Sequence, residues 1–167
     1  MITFKLNEIP EGKSSRIVKV STRDLELSTL DVKNVMLHID FIKTENTLQV
    51  FFDVEAEAEL VCDRSLDKFG QVIAGDYHIV FDPKVENEEE AEESAVRFLD
   101  IAKDLIDISK EVRDTILLSV PAKKLHPRFY DEEGNPSDFS GRFPDKDYED
   151  PRWDALKKLQ DKNNKKN

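Results

Sequence analysis

Apolar and polar residues alternate along most of the first half of the chain, and that period of two predicts β-strands. Ile2, Phe4 and Leu6 alternate with polar neighbours, and Ile17, Val18 and Val20 form a second short run after a turn at 10–12. From Val35 the signal strengthens, with Val35, Leu37, Ile39 and Phe41 on one face. A turn at 44–47, holding Asn46, leads into a return run of Leu48, Val50, Phe52, Val54, Ala56, Ala58 and Leu60. Between these lie Gln49, Phe51, Asp53, Glu55, Glu57 and Glu59. Such a segment is a long antiparallel strand with one face on a core and the other in water. On a helix the same apolar residues would point all round the cylinder. A further strand is expected over 72–81, interrupted at Gly75 and Asp76 and closed by Pro83.

The pattern then changes. Residues 86–93 hold six Glu in eight positions and read as a solvated loop, because like charges at that density repel. The segment 96–108 fits a helical stripe through Phe98, Ile101, Ala102 and Leu105 as well as a strand; a short strand at 95–100 followed by a turn is preferred. A helix at about 109–120, capped by Asp107 or Ser109, would bury Val112, Ile116 and Val120, with Ile108 near its start, and Pro121 ends it. Beyond Ala122 the prolines and glycines become dense and aliphatics sparse, which predicts an extended arm. Asp150 and Pro151 then open a short helix carrying Trp153, Leu156 and Leu159, followed by a fraying lysine-rich end. The expected fold is α+β: a twisted antiparallel sheet from 2–82 plus 95–100, curled towards a barrel, with one main helix. An α+β domain at 1–121 and an arm at 122–167 are the expected units.

Composition tempers this picture. Hydrophobic residues make up 38% of the 167 and charged residues 37%, so the core is modest. Ten Phe partly compensate through the area each ring buries. The net charge of −11 argues against wrapping nucleic acid by bulk electrostatics and points to a basic protein partner, although a local basic face could still meet RNA. The run 1–11 lacks a basic head followed by an apolar stretch, and no segment has the ~18 apolar residues of a membrane helix. A cytoplasmic protein is the expectation.

Candidate chemistry is sparse. One cysteine, Cys62, and three histidines, His38, His78 and His126, offer little for a zinc site, although Cys62, His78 and His126 could meet in space. A strand cysteine and two surface histidines is the preferred reading, and no metal or other cofactor is expected. Cys62 lies in no nucleophile motif, and five scattered glycines build no phosphate loop. One basic island stands out, residues 122–130, where Lys123, Lys124, His126 and Arg128 are interleaved with Phe129 and Tyr130. It suits RNA contact through phosphate pairing and stacking. From the residues alone, a solvated loop anchored by Phe129 and Tyr130 is the stronger reading. Residues 86–93 read second as a nucleic-acid mimic for a basic ribosomal protein.

Three segments carry a resemblance. Val61-Cys62-Asp63-Arg64-Ser65-Leu66-Asp67-Lys68-Phe69 resembles the Val-Cys-x-Arg-Cys-Leu-x-x-Phe signature of the YceD family, the large ribosomal RNA subunit accumulation proteins. Residues 106–121 are similar to that family's acidic–apolar helix ending in Leu-x-x-Pro, and Asp150-Pro151-Arg152-Trp153 resembles its terminal motif. The order and spacing also agree over about 35–160. Ser65 stands where the family often has a second cysteine, and 126–148 lacks the further cysteine pairs of many members, so any metal site of those relatives is absent or crippled here. The resemblance implies a non-enzymatic role in accumulating large-subunit ribosomal RNA, by binding that RNA, a basic large-subunit protein, or both. It makes Arg64 and Arg152 candidate contacts beside Lys123, Lys124, His126 and Arg128. Two rivals stand beside it, a generic acidic interaction module and an RNA-processing hydrolase.

Overall fold

Period-two burial is what builds the main sheet. The computed structural model describes residues 1–136 other than 26, 28 and 29. The chain divides into two compact units, Met1–Arg128 and Phe129–Asn167. The first unit holds strands β1 (Thr3–Lys5), β2 (Gly12–Val20), β3 (Asp31–Lys43), β4 (Leu48–Val61), β5 (Lys68–Asp82), β6 (Glu89–Glu90), β7 (Ser94–Phe98) and β8 (Leu105–Asp107), and helix α1 (Ser109–Leu118). In the described part of the second unit, Asp131 turns the chain by accepting from the backbone amides of Glu133 and Asn135, and Tyr130 bridges to Pro136.

Along β4 the predicted alternation holds through all 14 residues: Leu48 to Leu60 are buried at every second position. Its neighbours β3 and β5 pair with it antiparallel, Phe41 opposite Val50 and Ile79 opposite Val50 on the other side. Phe41, at 0% exposure, packs edge-on against Phe4 of β1 with ring centroids 5.3 Å apart. Truncating such a ring to alanine costs about 3–5 kcal/mol. Where β3 bulges between Lys33 and Met36, Asn34 adopts φ +51°, a conformation its short amide side chain tolerates.

The α+β class and the single main helix stand, but the sheet is not a barrel. Its six strands run β2-β3-β4-β5-β7-β6 and stay open. Instead of returning antiparallel, β7 lies parallel to β5, His78 beside Ser94 through Asp82 beside Phe98. The terminal strand β6 is two glutamates long and cannot offer a closing edge to β2. Residues 86–93 are therefore not simply a solvated loop, because Glu89 and Glu90 pair with Val96 and Ala95.

The N-terminal strand also departs from expectation. It leaves the main sheet and pairs with β8, Phe4 opposite Ile106. A 3-10 turn at Leu6–Glu8 redirects the chain, and the Leu6 amide donates to the Asp104 carbonyl at 3.1 Å. Nor is β5 interrupted at Gly75: it runs unbroken for 15 residues. The short strand expected at 95–100 is present as β7, followed by a 3-10 turn at Ile101–Lys103.

Helix α1 buries Val112 and Ile116, with Ile108 just before it, against the inner sheet face. It ends at Leu118, leaving Val120 half-buried beyond it. Neither expected cap is the N-cap, which is Ile108. The Ser109 hydroxyl is occupied instead by the Ile2 amide at 2.6 Å, tying β1 to the helix start, and Asp107 accepts from the Ser109 amide. No helix among the described residues is long and apolar enough to cross a membrane.

Candidate functional site

The hairpin loop between β4 and β5 brings Cys62 to Asp67 back on themselves. The Leu66 amide donates to the Cys62 carbonyl and the Cys62 amide to the Asp67 carbonyl, each at 2.9 Å. Closing so tight a loop forces Leu66 to φ +61°, a left-handed backbone that costs a branched side chain energy. Leu66 is nonetheless 77% exposed, so the side chain gains no burial in return.

Segment 122–128 is sewn onto this loop. The Asp63 amide donates to the Lys124 carbonyl at 2.7 Å, and the Asp63 carboxylate accepts from the Lys124 amide at 2.7 Å. Next, the His126 amide donates to the Cys62 sulfur at 3.3 Å, while the His126 ring lies 5.6 Å from that of Phe69. Leu125, 4% exposed, provides the apolar anchor. Farther on, Arg128 ion-pairs with Asp67 through its guanidinium, and its amide donates to His126 Nδ1 at 3.2 Å.

The predicted contact residues thus fall into two groups. Arg64, on the hairpin loop, and Lys123, Lys124, His126 and Arg128, on the strap, are brought to one end of the sheet although about 60 residues separate them in the chain. Arg152 lies outside the described residues. Sequence reasoning missed the two aspartates, Asp63 and Asp67, that hold the strap, and Leu125, which anchors it. Their signal was faint: an acidic residue on either side of Arg64 in a loop offers the acceptors that a facing irregular backbone needs.

Electrostatics reflect this packing. Burial pushes the Cys62 thiol up, but hydrogen bonding from the Ser65 hydroxyl and from the amides of His126, Ser65 and Arg64 outweighs it and brings the thiol down to about 7. The Ser65 hydroxyl and the Arg128 guanidinium hold the Asp67 carboxyl below its ordinary range. The Ser65 oxygen itself is buried and meets no partner at strict hydrogen-bond geometry, so the backbone amides are the firmer part of the Cys62 cradle. The three residues weighed as metal ligands divide: Cys62 and His126 adjoin, whereas His78 stacks on Phe51 with ring centroids 4.0 Å apart. Among the described residues no group of three or more His, Cys, Asp or Glu could hold a metal ion.

Chemically, the face offers fixed cations on an immobilised strap beside an exposed leucine. A family model described as "Large ribosomal RNA subunit accumulation protein YceD" matches residues 50–160, from β4 through the strap and beyond. No curated protein matches the chain, and no solved structure does.

Proposed function

Because the chain belongs to the YceD family, we propose that it supports accumulation of large-subunit ribosomal RNA as a binding factor without catalysis of its own, through the face built by residues 61–69 and 122–128. The observation that carries this reading is the reciprocal Asp63–Lys124 pairing. It brings the segments that carry Lys123, Lys124, Arg128 and Arg64 to one end of the sheet, in a molecule with net charge −11. Acids elsewhere repel a polyanion, so RNA would be steered towards cationic faces such as this one. Phosphates would meet the lysines and guanidinium groups, and the rigid strap spends little conformational entropy on binding.

The test is crosslinking of the full chain to large-subunit ribosomal RNA, followed by mapping of the attached residues. Crosslinks concentrated on 122–128 and on Arg64 are expected. Crosslinks scattered over the acidic sheet face, or a pull-down that recovers no large-subunit component, would reject the reading.

A further inference from the structure

The main sheet ends in two edges that are built differently. On one side β6 is only two glutamates long, too short to pair with a further chain. On the other, β2 runs for nine residues, Gly12–Val20, in continuous register with β3, and no strand pairs with its far side among the described residues. An edge of that length presents a row of amides and carbonyls that another strand can complete. Neither a proline nor a bulge, two devices that blunt such edges, interrupts it. Ile17, in its middle, is 65% exposed.

The side chains of β2 restrict what pairs with it. Lys13, Ser15, Ile17 and Lys19 alternate on the outer face, beside Ile42, Asp40, His38 and Met36 of β3. The Ser15 hydroxyl donates to the Asp40 carboxylate. On the inner face, Arg16 donates to the Glu8 carbonyl and lies over the Phe4 and Phe41 rings. Antiparallel strands set residues of one face directly opposite each other, so a second copy of β2 fits only in certain registers. Centred on Arg16, the pairing would set Arg16 against Arg16 and Lys13 against Lys19, which like charge opposes. Centred on Ile17, it sets Ile17 against Ile17 and Lys19 against Ser15, with Lys13 opposite Ser21 just past the strand end.

We propose that β2 pairs antiparallel with β2 of a second copy of this chain, about a two-fold axis at Ile17, joining the two sheets edge to edge. Each exposed Ile17 is then covered by the other. Each Lys19 lies beside Ser15 of the second copy and one strand from the Asp40 to which that serine donates. At ordinary strand spacing Lys19 and this Asp40 stand about 10 Å apart at the backbone, a gap that the lysine stem and the carboxylate arm span together. Lys13 of the second copy lies diagonal to Lys19, about 7–8 Å away, where salt weakens the repulsion of exposed like charges. Such a contact uses the same surface on both copies and closes at two. It also leaves the strap open, because β2 reaches alongside β4 only from Leu48 to about Glu55, short of the loop at Cys62–Asp67. The pairing goes beyond the RNA-contact reading and gives an assembly with two straps.

The experiment is sedimentation equilibrium of the full chain over a rising concentration series at near-physiological salt. The mass should move from 19.3 kDa towards twice that value and stop there. Ile17→Lys sets two lysines together on the axis and should weaken the association about tenfold or more. Val72→Lys, at a residue of like exposure on the same face of β5, should leave it within about twofold. Lys19→Asp should weaken it by turning a like charge towards Asp40, and adding Asp40→Lys should restore it. If Ile17→Lys alters the circular dichroism of the chain, that charge exchange decides alone. A mass that stays at 19.3 kDa, an association that survives Ile17→Lys in a folded chain, or a charge exchange without recovery would overturn the proposal. No RNA enters this assay, so its failure leaves the crosslinking test of the strap independent.

Discussion

Asp63 and Lys124 exchange two hydrogen bonds of 2.7 Å each, one backbone to backbone and one from the Lys124 amide to the Asp63 carboxylate. This is the pairing of a β-bridge with an aspartate side chain in place of a second strand carbonyl. Asp63→Ala should remove the side-chain half, cost about 1 kcal/mol and lower Tm by about 4 °C. Asp63→Asn keeps an acceptor and should recover most of the loss. Faster amide exchange at Lys124 in the alanine variant would locate the effect on the strap, and unchanged exchange there would exclude it.

The RNA reading makes a quantitative statement about salt. Each phosphate contact on a single strand contributes about 0.7 to the slope of log affinity against log salt. Lys123→Ala with Lys124→Ala should therefore flatten that slope by about 1.4, measured by filter binding of large-subunit RNA across a salt series. A drop in affinity with an unchanged slope would mean that the lysines act through the fold rather than on phosphates.

Cys62 gives the site a pH dependence. Its folded value, about 7, lies below the ordinary thiol value of 9.0, so the thiolate's hydrogen bonds add stability at pH above 9.0 that is lost as pH falls through about 7. Denaturant midpoints should rise across that interval in the native chain and rise less in Cys62→Ala. Because the chain has one cysteine, its thiolate absorbance can be titrated directly. Ser65→Ala should move that titration upward, and an unmoved midpoint would assign the whole shift to the backbone amides.

Gly75→Ala should destabilise the first unit by about 1–3 kcal/mol, because the new methyl meets Ser119 Oγ and Thr115 Cγ2 inside normal contact distance. Adding Ser119→Ala removes one of the two clashes and should return part of the loss, whereas the Thr115 methyl remains. Thermal unfolding of the single and double variants decides it.

Arg97 joins β7 to α1 through Glu111 at 3.0 Å, with both side chains largely out of solvent at 12% and 7% exposure. Arg97→Ala leaves the Glu111 carboxylate buried without its cation, for a loss of about 3 kcal/mol. Replacing both residues by Met should cost much less, since neither charge is then stranded. If the double variant is as unstable as the single one, the pair acts through packing alone.

How much of this was legible depended on the range of the interaction. Alternation in residues 48–60 and the spacing of Ile108, Val112 and Ile116 state which face meets water, and a local window contains that information in full. Gly75 read as a strand break because a missing side chain looks like a turn signal, when its reason is a helix that the chain supplies 40 residues later. The strap was visible as a cluster of cations, but its fastening was not, because Asp63 and Asp67 are ordinary acids until the Lys124 amide and the Arg128 guanidinium arrive to donate to them.

By itself, then, the order of residues determined the long strands, the helix face, the basic island and the family motifs, since each is a property of neighbours along the chain. Only the tertiary structure decided that β1 would join β8, that β7 would lie parallel to β5, and that Arg64 and Lys124 would share one end of the sheet. Those outcomes depend on which distant backbone groups can satisfy each other once loops have closed, and many partners of equal local merit compete for that role.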